Sequence, residues 1–134
     1  MSFFPLTNLT LLAACALAAG CSQSGPTTPP SQADLAKKEE AKRDKARLDV
    51  KALADAVAVY HLNNDGNFPQ TLQELTQPQP NAGGKVIVAA DALTDPWGKP
   101  YQYDPAGPKH NGEKPDVWTQ APDGTVIGNW PEKK

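Results

Sequence analysis

Apolar side chains are distributed along this chain in three unlike ways. From Leu9 to Ala19 they are almost unbroken, from Asp34 to Asp49 they give way to Lys, Arg, Glu, Asp and Ala, and from Val50 they return at a regular spacing. That spacing sets Val50, Leu53, Ala54, Val57 and Tyr60 three and four apart, with Leu48, Ala52, Val59 and Leu62 on a neighbouring ridge. The pattern predicts one helix from Gln32 to Leu62. Its second half must bury a face, while its first half, with opposite charges at helical spacing such as Asp34 with Lys38 and Glu39 with Arg43, stays in water. Ser31 with Asp34 three residues on supplies a capping pair at the start. At the far end Asn63-Asn64-Asp65-Gly66 stops the helix, with Gly66 free to turn left-handed; the residues lack the alternating acidic ligands of an EF-hand loop.

Beyond Phe68-Pro69 the periodicity shortens. Thr71 to Leu75 reads as a short amphipathic helical turn, a Pro/Gly-rich loop follows through Gly84, and the run Lys85 to Ala90 has the β-branched content of a strand at a length that leaves strand and other structure both open. Asp95-Pro96-Trp97-Gly98 fits a type I turn, with Pro second and Gly fourth, leading into a strand on which Tyr101 and Tyr103 share a face. After the loop Pro105 to Pro115, "DVWTQ" sets Val117 and Thr119 against Trp118, and Pro122-Asp123-Gly124 turns the chain into a last strand from Thr125 to Ile127. The expected architecture is α+β: a long N-terminal helix laid on a small sheet of about three antiparallel strands.

Composition narrows the functions. A net charge of −2 over 134 residues is no strong charge excess, and nothing in it points to nucleic acid. Every Trp and Tyr lies between Tyr60 and Trp130, so the core belongs to the C-terminal part. The two cysteines, Cys15 and Cys21, both lie in or beside the N-terminal apolar run, which leaves the folded part without disulfides or thiolate-bound metals. His61 and His110 are far apart and read as surface or groove residues, and a zinc site has no support. No nucleophile–base pair, carboxylate dyad or phosphate loop stands out, so an enzyme is not expected. Asp55, the one acidic residue in the apolar half of the helix, reads as an exposed helix-face position.

The run Leu9 to Ala19 has the length of a signal-peptide core and falls short of the roughly 20 residues a spanning helix needs. Ala18-Ala19-Gly20 and then Cys21 resemble the lipobox of bacterial lipoproteins, in which small side chains enter the peptidase groove and the thiol carries the lipid. Cys15 closes a second such match, but cleavage there would leave an apolar new N-terminus, so Cys21 is the expected acceptor; the segment lacks the usual Lys or Arg at its start. The alternative is an uncleaved membrane helix from Phe3 to Gly20. The expected organisation is a signal peptide over 1–20, a flexible tether over 21–31, a charged helical stalk over 32–49, a globular domain over 50–131 and a tail over 132–134. Ser22, rather than Asp, behind the acceptor implies a periplasm-facing anchor in the outer membrane.

"ALADAVAVYHLNNDGNFPQTLQEL", "DPWGKPYQYD", "DVW", "APDG" and the terminal "IGNW" follow the order and approximate spacing of one known domain. Over roughly Leu48 to Trp130 the chain resembles the globular domain of the type II secretion major pseudopilin, general secretion pathway protein G. The resemblance implies a pilin-like α+β fold in which Asp95, Pro96, Trp97, Gly98, Tyr101, Tyr103, Trp118 and Trp130 are structural. It also implies a calcium loop ahead of "IGNW", yet only Thr125-Val126 separate Asp123-Gly124 from Ile127, so Asp123 is the one acidic candidate ligand left and weak or no calcium binding is expected. Members of that family begin with a membrane helix behind a Gly-Phe peptidase site and carry an early glutamate, whereas here Gly20 is followed by Cys21 and the first glutamate is Glu39. The expected function is therefore that of a non-enzymatic, lipid-anchored accessory or interaction component of type II secretion or a pilus-like machine. The alternatives are a stand-alone envelope module whose aromatics bind a sugar or protein, and a membrane-spanning subunit of the pseudopilus.

Overall fold

The computed structural model describes residues 31–131, so Cys21 and the segments on either side of that range lie outside the described residues. The chain opens with α1 (Gln32–Asn63) and, after a series of 3₁₀ turns, forms β1 (Gln102–Asp104), β2 (Asp116–Gln120) and β3 (Val126–Gly128). The strands make one antiparallel sheet in the order β1-β2-β3, with Tyr103 opposite Val117 and Thr119 opposite Ile127.

Both helix ends are closed as the sequence predicts. The Ser31 hydroxyl accepts the Asp34 amide at 3.2 Å and the Asp34 carboxylate accepts the Ser31 amide at 3.3 Å, a reciprocal capping box. At the other end the Gly66 amide reaches back to the His61 carbonyl at 3.0 Å, from a left-handed φ of 81°.

The core lies between the helix and the sheet. Ala46, Val50, Leu53, Ala56 and Val57 are buried against Leu72, Leu75, Tyr101, Val117 and Ile127. Thr119 shares that face of β2, and Trp118 points to the opposite side. The sheet is narrow, so it covers one helix face only. The neighbouring ridge is left in water, with Leu48 at 69 % and Leu62 at 80 % exposure.

Two sequence expectations need correction. The run Lys85 to Ala90 is not a strand: Lys85 makes a lone bridge to Gln79, the amides of Ile87 and Val88 both donate to the Leu75 carbonyl at 3.0 and 3.1 Å, and a 3₁₀ turn follows at Ala90–Leu93. The run has no neighbouring strand, and two of its β-branched side chains, Ile87 and Val88, pack on the main cluster instead, while Val86 stays exposed. The helix, for its part, meets the head well before Val50. Ala46 is fully buried, and Glu39, Arg43 and Asp49 each contact a loop of the head, so only Gln32 to Lys38 projects as an uncontacted, solvated end. Those charges look solvated in the sequence because their partners are loop polar groups rather than apolar ones.

Candidate functional site

The turn that opens the "DPWGKPYQYD" stretch is organised by one buried carboxylate. Asp95 closes the turn through its carbonyl, which accepts the Gly98 amide at 3.0 Å. Its side-chain Oδ1 accepts the amides of Trp97 at 3.0 Å and Lys99 at 2.8 Å, while Oδ2 accepts the Thr119 hydroxyl of β2. A buried carboxylate held by neutral donors in this way locks the turn to the central strand.

The locked turn presents two aromatics to the helix. The Trp97 indole N–H donates to Glu39 at 2.9 Å, and the Tyr101 hydroxyl donates to Asp49 at 2.9 Å. Tyr103 takes a separate partner, donating to the Pro69 carbonyl at 2.7 Å. Burial, and next the Asp49 carboxylate, push the Tyr101 phenol far above the ordinary tyrosine range; burial does the same to Tyr103. These phenols are structural hydrogen-bond donors. Pro96 and Gly98 supply the turn itself.

Asp123 lies in the β2–β3 turn. Its Oδ1 accepts the Thr125 amide at 3.1 Å, and its Oδ2 accepts the Thr125 hydroxyl at 3.0 Å and an Arg43 Nη2 N–H at 2.6 Å. The Thr125 donors first, and Arg43 behind them, hold the carboxylate below its usual range. Calcium takes six to eight oxygens. Here a guanidinium stands on the one acidic side chain, and among the described residues no cluster of three or more Asp, Glu, His or Cys could share an ion. The residues present do not fit a calcium site.

The sheet face turned away from the helix carries the two remaining tryptophans. Trp118 and Trp130 lie with ring centroids 6.0 Å apart and tilted by 54°. Trp130 can fold back because Gly128 has no side chain: a Cβ there would meet the indole at 2.6 Å. Together with Pro108, Lys109 and Val126 the two rings line a groove of about 480 Å³, with the Lys109 ammonium 5.9 Å from the Trp130 ring. Beneath the groove, Asp116 is buried and accepts the Lys109 amide at 2.8 Å while lying 2.6 Å from His110 Nδ1. The sequence does not reveal this pair, because His110 comes from a Pro/Gly loop that folds over the strand. Trp97, Tyr101 and Tyr103 thus belong to the helix side, and only Trp118 and Trp130 share an outward-facing surface.

A long capped helix across a three-stranded antiparallel sheet, tied to it by an Asp-Pro-Trp-Gly turn, is the architecture of a pilin-like domain. A solved structure has that shape: the major pseudopilin from the type 2 secretion system of enterohaemorrhagic Escherichia coli superposes with a TM-score of 0.54 at 27 % identity, over 77 % of this chain and 92 % of that one. Residues 34–132 match the family model of type II secretion system protein G. The type II secretion system core protein G of Pseudomonas aeruginosa is 32 % identical over 112 residues, which is 72 % of this chain and 76 % of the relative. That of Vibrio cholerae is 34 % identical over 111 residues, or 72 % and 73 %. The chain belongs to the type II secretion system protein G family.

Proposed function

We propose that the chain is a non-enzymatic component of type II secretion in the bacterial envelope, anchored by lipid at Cys21 and acting as an accessory or interaction subunit. The order of segments carries this reading: Ala18-Ala19-Gly20-Cys21, a polar stretch from Ser22 to Pro30, and then a capped helix that leads straight into the head. Among the described residues no helix is long and apolar enough to cross a membrane. In this arrangement residues 1–20 are removed, 21–31 form the tether, the start of α1 stands clear of the head, and Ser22 directs the anchor to the outer membrane. The head then offers its loops and the Trp118–Trp130 groove to secretion or pilus-like partners in the periplasm.

Expression of the wild type and Cys21→Ala tests the anchor. The wild type is expected to show a diacylglycerol mass increment and to fractionate with the outer membrane, both lost in the variant. An unlipidated wild type in the inner membrane would overturn the proposal in favour of a spanning pseudopilus subunit. One observation favours a second reading, a stand-alone envelope binding module: two tryptophans share an open groove. Quenching or shift of tryptophan emission by peptidoglycan-derived saccharides, abolished in Trp118→Ala, would support that reading.

A further inference from the structure

The face of α1 turned away from the sheet carries an ordered stripe of its own. From Lys38 to Leu62, exposed positions recur alternately three and four residues apart, the spacing of a heptad seam. The stripe lies opposite the buried face formed by Ala46, Val50, Leu53 and Val57. It holds the most exposed large apolar side chains of the helix, Leu62 and Leu48, along with Val59. Among the described residues the carboxylate of its one acidic member, Asp55, has no hydrogen bond or ion pair.

We infer that this stripe is the contact surface for a second copy of the chain, docked helix to helix in antiparallel orientation. In an antiparallel pair each seam position faces one of the other type, and one register satisfies the whole stripe. Lys45 of one copy faces Asp55 of the other, Leu48 faces Ala52, Ala41 faces Val59, and the aliphatic stem of Lys38 covers Leu62. Large residues meet small ones, so the helices can approach closely along about 36 Å of seam. The lone carboxylate gains a cation, and the Lys45 ammonium, 2.5 Å from Asp49 in its own helix, has further N–H donors to offer it.

The alternatives are worse on the same residues. A parallel pair in register sets Asp55 on Asp55 and Lys45 on Lys45. Sliding the antiparallel pair by one heptad in one direction leaves Asp55 facing Ala52; in the other it sets Val59 and Leu62 against Asp34 and Ser31 at the capped end. Because each sheet lies behind its own helix, the two heads point outward and do not collide. The contact is two-fold and closed, which limits it to a dimer.

Sedimentation equilibrium of the full-length chain in detergent tests the inference with Lys45→Glu, Asp55→Lys and the double exchange, all at exposed positions where circular dichroism and Tm verify folding. The wild type is expected to dimerise, each single variant to weaken dimerisation at least about tenfold by placing like charges together, and the double exchange to restore it. A monomeric wild type would overturn the inference. So would single variants that dimerise like the wild type, which would place the contact elsewhere, or a double exchange that binds no more tightly than the singles.

Discussion

At the scale of single residues, the polar groups that matter most are those whose partners are distant in sequence. Asp95 is an ordinary turn residue in the sequence, yet in the structure its carboxylate serves three donors and joins the turn to β2. Asp95→Ala leaves the buried Thr119 hydroxyl without its acceptor and should cost about 2–4 kcal/mol in chemical denaturation. Glu39 and Asp123 both titrate below the usual carboxylate range, the first because of the Trp97 N–H and then Lys42, the second because of the Thr125 donors and then Arg43. The native carboxylates stay ionised where those of the unfolded chain take up protons, so their contribution is present above the unfolded values, 4.5 for Glu39 and 3.8 for Asp123, and is lost as pH falls from there through the lower native values. Glu39→Gln and Asp123→Asn should each flatten the acid limb of a Tm-against-pH curve, and a limb identical to that of the wild type would show the pairing to be inert. Calcium up to millimolar concentration should leave the Tm of the wild type unchanged, since Arg43 already stands on Asp123.

The elements show why part of the fold was legible. The three-and-four spacing from Val50, the Ser31–Asp34 pair and Gly66 mark the helix and both its ends, because the forces concerned act within one turn. The spacing predicts two apolar ridges on the same helix, and only one is buried. Leu53→Ala should therefore cost about 2–4 kcal/mol, whereas Leu62→Ala should change monomer stability by less than about 0.5 kcal/mol. Composition alone could not separate these ridges, because the width of the covering sheet decides between them. The run Lys85 to Ala90 failed as a strand for a related reason: β-branched residues favour pleated backbone, but a strand exists only where another lies beside it. The grip of the head on Glu39 and Arg43 was also hidden, since their partners Trp97 and Asp123 lie 58 and 80 residues away. Ser31→Ala tests how far that grip reaches. The cap lies beyond the last contacted residue, so its loss should fray the first turns, visible as a small drop in helical ellipticity, with little change in Tm.

For the molecule as a whole, the sheet and its loops make a small head, and α1 runs past it as a rigid rod of about 48 Å. Motif order alone identified the family, whereas the division of labour among its aromatics needed the structure: Trp97, Tyr101 and Tyr103 hold the head together, and Trp118 and Trp130 face outward. One consequence is optical. Trp97 is hydrogen-bonded to a carboxylate on the helix and lies on the opposite side of the sheet from the other two indoles. A variant keeping Trp97 as its sole tryptophan would report the seating of the charged helix segment through its emission wavelength. The complementary variant would stay silent to that motion and respond only to what enters the groove.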